Sequence, residues 1–266
     1  MKVEDIPTGE LIRQMVEDQS SAIASIVGQL DGIQQLISWY VSTIRAGGKV
    51  VYFGAGTSGR IGFMDAAELY PTFGVGSEFV VALIAGGTIA LQRSVEGAED
   101  DVNAANSDFR SLDPKANFLF IGLSATGRTP YVLQILRNAK EIGARTAAIT
   151  CTPGSPVARE ADLAIVVDTG EEMVKGSTRL KAGTVEKVVL NTVSTISMMK
   201  LGKTREGLMV SMIPLNSKLR DRAVDIVVKL TGCSRSEAEE TLEGNNWNIE
   251  ETLKKLEGRA KSNHET

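Results

Sequence analysis

The feature that most constrains this chain is a junction that occurs twice: an apolar, β-rich run stops at a Gly-rich turn that opens directly into a helical pattern. The first copy is Val50-Val51-Tyr52-Phe53 followed by Gly54-Ala55-Gly56-Thr57-Ser58-Gly59-Arg60. The second is Phe118-Leu119-Phe120-Ile121 followed by Gly122-Leu123-Ser124-Ala125-Thr126-Gly127-Arg128-Thr129-Pro130. Further short apolar runs bounded by Gly, Pro or Asp give predicted strands at 49–53, 79–84, 117–122, 145–150 and 163–167. Helical patterns lie between them at 60–69, 88–105, 130–142 and 155–160. Strands apolar on both faces need helices on both faces, and strand–helix–strand units cross over right-handedly into a parallel sheet. The expected fold is therefore α/β, a doubly wound five-stranded parallel sheet. Its ligands bind at the carboxyl ends of the strands, where both Gly-rich loops fall.

Two amphipathic helices precede the sheet, at 9–28 and 31–46, with Leu11, Ile12, Met15, Val16, Ile23, Ile26, Val27 and Leu30 at helical spacing until Gly47-Gly48 breaks the pattern. A longer helix, 180–201, follows the last strand. Past residue 217 the strand signals stop, and three short helical segments are expected at 218–230, 234–243 and 249–257. Ser234 with Glu237 reads as a capping box, and Gly244-Asn245-Asn246 ends the middle segment. The expected organisation is N-terminal helices over 1–48 packing on a core domain of 49–216, a small helical bundle over 217–257, and a polar, disordered tail over 258–266.

Charge and cysteine content narrow the function. A net charge of −4 supplies no basic surface for nucleic acid. Cys151 and Cys233 stand far apart, without a Cys-x-x-Cys pair, so neither a zinc site nor a disulfide framework is expected. Two reduced thiols fit a cytoplasmic protein. No N-terminal signal pattern is present and no apolar run approaches the ~20 residues of a membrane span, so no membrane association is expected. The single histidine, His264, is the third residue from the end of the sequence. Proton transfer then falls to carboxylates, Lys, Tyr or water rather than to imidazole.

The loop at 54–59 is neither a dinucleotide fingerprint nor a P-loop. The second expected strand ends in Ile84-Ala85-Gly86-Gly87 without the acid a ribose needs, and the Gly-Lys-Ser/Thr ending is missing. A tight structural turn is one reading. The other is an anion cradle, in which glycines admit the anion, hydroxyls donate to it and the helix N-terminus holds it. Two such loops in one domain point to a phosphorylated small molecule. Glu68 lies eight residues past Arg60, about 12 Å along a helix, which spans an extended sugar phosphate. A solvated surface carboxylate is the alternative. On the expected helix Glu96 and Asp100 share a face within Glu96-Gly97-Ala98-Glu99-Asp100-Asp101, either as a solvated face or, less fittingly for its spacing, as a calcium site. Gly176-Ser177-Thr178-Arg179-Leu180-Lys181-Ala182-Gly183-Thr184 places hydroxyls and cations at a helix start, for anion contact or for capping by Ser177 or Thr178.

In collinear order from about residue 8 to 257, these segments resemble the sugar isomerase (SIS) superfamily, and within it the family of N-acetylmuramic acid 6-phosphate etherases and their relative, the glucokinase regulatory protein. The resemblance rests on Gly54–Arg60, Asp65-Ala-Ala-Glu68 with Pro71-Thr-Phe-Gly74, Ile84–Gly87, Val95–Asp100, Gly127–Tyr131, Gly176–Thr184 and Asn191. It implies an SIS-type sheet and a homodimer. It also implies a lyase that removes the D-lactyl ether from N-acetylmuramic acid 6-phosphate without metal or cofactor, by elimination and then water addition. By matched position Glu68 would protonate the departing ether oxygen and Glu99 would take the C2 proton. Gly56, Thr57, Ser58, Gly59, Arg60, Ser124, Thr126, Gly127, Arg128, Thr129, Ser177 and Lys181 would bind the substrate and its phosphate. The sequence departs from the family pattern at Leu69-Tyr70, where Cys-Pro is usual, at Ser124-Ala125-Thr126, where Ala-Ala-Ser is frequent, at Glu186, often Gln, and in lacking an N-terminal Thr-Glu-x-x-Asn segment. Residues 217–257 resemble a ubiquitin-associated bundle, with a structural role expected. Two rival functions are an aldose–ketose isomerase or epimerase of sugar phosphates, and a non-catalytic sugar-phosphate-binding regulator.

Overall fold

Five runs of β-branched and aromatic residues form the sheet. They are β1 (Val50–Gly54), β2 (Val80–Ile84), β3 (Leu119–Leu123), β4 (Arg145–Thr150) and β5 (Leu163–Val166). The computed structural model describes residues 3–262. All strand pairs are parallel, in the order β2-β1-β3-β4-β5, as expected of a doubly wound sheet. The helices are α1 (Thr8–Ala24), α2 (Leu30–Arg45), α3 (Gly56–Phe73), α4 (Ile89–Gln92), α5 (Val102–Ser111), α6 (Pro130–Glu141), α7 (Pro156–Glu160), α8 (Lys181–Lys200), α9 (Ser217–Thr231), α10 (Arg235–Gly244) and α11 (Ile249–Ser262). Among the described residues no helix is long and apolar enough to cross a membrane.

The chain divides into two units, one of residues 1–66 and 78–197 and one of 67–77 and 198 onward. In the first, alternate residues of each strand point to opposite faces. Val51, Phe53 and Phe120 enter one layer with Phe109, Tyr131, Val132, Ile135 and Leu136. Tyr52 points the other way, its hydroxyl 3.0 Å from that of Tyr40 on α2. In the second unit α9, α10 and α11 bury Ala223, Val227, Leu242, Ile249 and Leu253 against one another. Ser234 accepts from the Glu237 amide, one half of the expected box.

Three local expectations are corrected. The helix expected to end before Pro71 continues to Phe73. Pro71 sits in the final turn, where it forfeits only its own bond, and the Gly74 amide closes the end on the Tyr70 carbonyl at 2.9 Å. The single helix expected over 88–105 is three pieces: the short α4, a 3-10 turn Ala98–Asp100, and α5. Gly97 is left-handed (φ 74°), and Asp101 caps α5 by accepting from the Ala104 amide, so Glu96 and Asp100 do not share a helix face. Finally, α11 runs through Gly258, where the tail was expected to begin, to Ser262; residues 263–266 lie outside the described ones.

At the start of α3 the backbone leaves no room for side chains. A Cβ on Gly59 would stand 2.8 Å from the Gly54 carbonyl oxygen and 2.6 Å from Ile84. Gly59→Ala is therefore expected to lower the unfolding free energy by about 1–3 kcal/mol in urea titration, the cost of overpacking against backbone. An unchanged midpoint would contradict that contact.

Candidate functional site

From β1 the chain crosses to β2 on one side; from β3 it crosses to β4 on the other. The crevice that opens where strand order reverses is the usual ligand position of such sheets. Gly54 and Leu123, the last residues of β1 and β3, are register partners. Both Gly-rich loops therefore emerge side by side.

The first loop turns on Gly56 (φ 53°), which begins α3. Thr57 is half-buried and Ser58 buried. Arg60 donates from Nη2 to the Arg93 carbonyl at 3.3 Å. Beside this loop lies a cleft of about 190 Å³, lined in part by Gly56, Arg60, Ser94, Glu96 and Glu99. The structure thus brings Glu99 to the first loop, on the 3-10 turn created by the left-handed Gly97. Glu68 is not among the residues lining this cleft: it is exposed on α3, in the second unit.

The second loop is held tightly. Gly127 is left-handed (φ 62°), and a Cβ there would lie 2.1 Å from Ser155 Oγ. Its carbonyl accepts from the Val157 amide at 2.9 Å, and the Ala125 carbonyl accepts from the Cys151 amide at 3.0 Å. Ser124 and Thr129 are buried and hydrogen-bond each other at 2.9 Å, while Thr126 and Arg128 are exposed.

The third segment sits beside the first: a Cβ on Gly183 would be 3.2 Å from Thr57 Cγ2. The helix start is capped, but by neither Ser177 nor Thr178. The buried Glu172 carboxylate accepts from the amides of Lys181 (3.2 Å) and Ala182 (3.0 Å). Ser177 is half-buried, and Lys181 directs its ammonium to Asp18 at 2.8 Å. Its charge is thus already paired.

Besides Glu172, two further buried carboxyls lie outside the site residues expected from the sequence. Glu186 on α8 is fully buried, and Ser58 Oγ lies 2.8 and 3.1 Å from its two oxygens. Burial pushes its pKa up to about 8, opposed by the Ser58 hydrogen bond. Asp65 on α3 accepts at Oδ1 from Asn191 (2.5 Å) and from Ser194 (2.9 Å). Burial raises its pKa as well, against those hydrogen bonds and the Lys187 charge. Asn191 thereby serves as a tie between α8 and α3.

Residues 32–140 match the glucokinase regulatory protein N-terminal SIS domain, and residues 105–195 match the SIS domain. The N-acetylmuramic acid 6-phosphate etherase of Salmonella dublin is 44% identical over 253 residues, covering 95% of this chain and 85% of the relative. That of Salmonella typhimurium is 43% identical with the same coverage. Among solved structures, a phosphoheptose isomerase from Francisella tularensis superposes with a TM-score of 0.59 at 15% identity, over 73% of this chain and 100% of that one. The sugar isomerase domain of an RpiR transcription factor from Sphaerobacter thermophilus gives 0.54 at 18% identity, over 73% and 93%. These two likenesses show the SIS-type fold.

Removing the Glu172 carboxylate leaves two amides at the start of α8 without their acceptor. Glu172→Ala is expected to cost about 1–3 kcal/mol in denaturant unfolding, the penalty for unsatisfied buried donors. Ser177→Ala and Thr178→Ala should stay within about 0.5 kcal/mol, as surface changes away from a cap do. The reverse ranking would mean that the local hydroxyls cap the helix.

Proposed function

This chain belongs to the N-acetylmuramic acid 6-phosphate etherase family, and from that membership and the cleft beside the first Gly-rich loop we propose that it cleaves the D-lactyl ether of N-acetylmuramic acid 6-phosphate. The products are N-acetylglucosamine 6-phosphate and D-lactate, and the enzyme is a carbon–oxygen lyase. The observation that carries this reading is 44% identity to an etherase across 95% of the chain. Relatives that close displace the isomerase and regulator readings.

In the proposed reaction the phosphate rests on the first and second loops, where amides at the start of α3 and the side chains of Arg60, Thr126 and Arg128 remain available. The sugar ring opens, and the C1 aldehyde acidifies the C2 hydrogen. Glu99 takes that proton, the electron pair forms the C2–C3 double bond, and the C3–O bond breaks. Glu68 supplies the proton to the departing lactyl oxygen. Water then adds at C3. Two carboxyls in opposite protonation states suffice for this chemistry. The position of Glu99 on the cleft with Gly56 and Arg60 supports its role; the matched motif position supports that of Glu68.

The proposed assembly is a homodimer in the cytoplasm. Ile12, Val16, Val27 and Leu30 are apolar and well exposed along α1, the turn after it and the first residue of α2, a stripe that a second copy would cover. The free thiols Cys151 and Cys233 suit a reducing compartment.

Incubation with N-acetylmuramic acid 6-phosphate should release D-lactate from the wild type. Loss of a general acid or base should slow release about 10²-fold or more in Glu68→Gln and Glu99→Gln. Exchange of the C2 hydrogen with solvent should stop in Glu99→Gln and persist in Glu68→Gln. No lactate from the wild type, under conditions where another family member turns over, would sink the proposal. Light scattering checks the assembly: Val27→Glu should shift mass toward the monomer.

A further inference from the structure

One carboxyl stands directly behind the first loop and has no part in the reaction above. Glu186 is wholly buried in the second turn of α8, and Ser58 is its side-chain hydrogen-bond partner among the described residues. A hydroxyl has one hydrogen to give. Which way Ser58 gives it depends on the group behind.

We propose that Glu186 is a positioning residue that sets the direction of the Ser58 hydroxyl and thereby makes the first loop's affinity for a phosphate dianion depend on protonation. With Glu186 protonated, its O–H donates to Ser58 Oγ and the Ser58 hydrogen is free to point at the phosphate. With Glu186 ionised, the carboxylate captures that hydrogen, and an uncompensated negative charge sits behind a bound dianion. Both changes weaken phosphate binding. This inference rests on the reading of the loop as a phosphate site.

The surrounding groups leave Glu186 to act alone. Cys151, from the end of β4, is the titratable neighbour whose field couples to it. Its thiol is pushed up to about 12, first by burial and then by the charge of Glu186, with smaller parts from Glu172 and Asp168, so it carries no charge near neutrality. On α8 itself, Lys181 is paired with Asp18, and the Lys187 charge acts on Asp65. Burial dominates, opposed among the described residues by the Ser58 hydrogen bond and not by a cation, and the carboxyl exchanges its proton at about pH 8. A Gln at this position would present its amide N–H to Ser58 at every pH, a permanent version of the protonated state.

Calorimetric titration with N-acetylglucosamine 6-phosphate from pH 7 to pH 9, in buffers of different ionisation enthalpy, tests this. The ligand's phosphate is already a dianion over that range, its second pKa being about 6, so any proton taken up belongs to the protein. The wild type should lose about tenfold in affinity across that range and take up protons on binding near pH 8. Glu186→Gln should keep its affinity across the range and take up none. Ser58→Ala, which keeps the carboxyl and its charge but removes the hydroxyl link, should make the profile shallower than that of the wild type, so the test survives a Gln variant that does not fold. A Glu186→Gln or Ser58→Ala profile as steep as the wild type, or a wild type that takes up no proton, overturns the inference. Failure of the wild type to bind the sugar phosphate at all overturns the phosphate reading beneath it.

Thermal unfolding without ligand separates the two failures. The folded state holds the Glu186 proton from the ordinary carboxylate range up to about pH 8, whereas the unfolded chain releases it near 4.5. Folded stability is therefore full below the lower value and is lost as pH rises through the upper one. The melting temperature of the wild type should fall relative to Glu186→Gln as pH rises from 5 to 9. Parallel curves would show that no buried proton is held there.

Discussion

The backbone of α3 meets the end of β1 with no space for a side chain between them, and the geometry of the site follows from that contact. A Cβ on Gly54 would stand 2.8 Å from the Gly59 amide nitrogen, and a Cβ on Gly59 the same distance from the Gly54 carbonyl oxygen. Helix and strand are held at a separation that only glycine permits. The start of the helix, with its unpaired amides, is thus fixed at the strand's carboxyl end, beside the loop that leaves β3. The same contact turns Ser58 inward to Glu186 and sets Thr57 against Gly183. One close approach thereby joins the first loop to the helix that closes the unit.

Around that contact most polar groups are already committed. Ser124 bonds Thr129, Lys181 pairs with Asp18, and Glu172 takes the first amides of α8. Buried polar atoms demand such partners, and satisfying them makes the loops rigid before any ligand arrives. What stays open is a smaller set: the backbone at Gly56, the Arg60 guanidinium beyond its one bond to the Arg93 carbonyl, the exposed Thr126 and Arg128, and the carboxylates at the cleft. A rigid surround with few open groups is the arrangement that binds a small anion at low ordering cost.

The sheet was legible because its strands are short apolar runs with turn residues at both ends, and Val50–Gly54 and Arg145–Thr150 lie within a residue of expectation. What misled were single residues whose effect depends on context. The helix expected over 60–69 stops short of Pro71, yet in a last turn proline costs one hydrogen bond; the helix expected over 88–105 runs through Gly97, which instead adopts a left-handed turn. In the site, the loops were legible from glycines and hydroxyls, but the partners were not. Ser58 and Glu186 are 128 positions apart, and Asp65 and Asn191 are 126 apart. The hydroxyls adjacent to α8 point to a local cap, whereas a carboxylate nine residues before Lys181 folds back to supply it. Periodicity and spacing report on neighbours in sequence and carry no sign of such pairs.

Glu68, Glu99 and Glu186 differ most in their exposure. Glu68 and Glu99 are exposed in the single chain, and Glu186 is wholly buried. Elimination by an acid and a base requires their protonation states to differ, and burial beside apolar or charged groups is the usual way proteins separate two carboxyls. In the proposed reaction the bound substrate covers both groups. The substrate itself brings a dianion and an apolar lactyl methyl. The groups committed within the chain lie around the two Gly-rich loops, and the two carboxylates proposed for acid and base stay exposed.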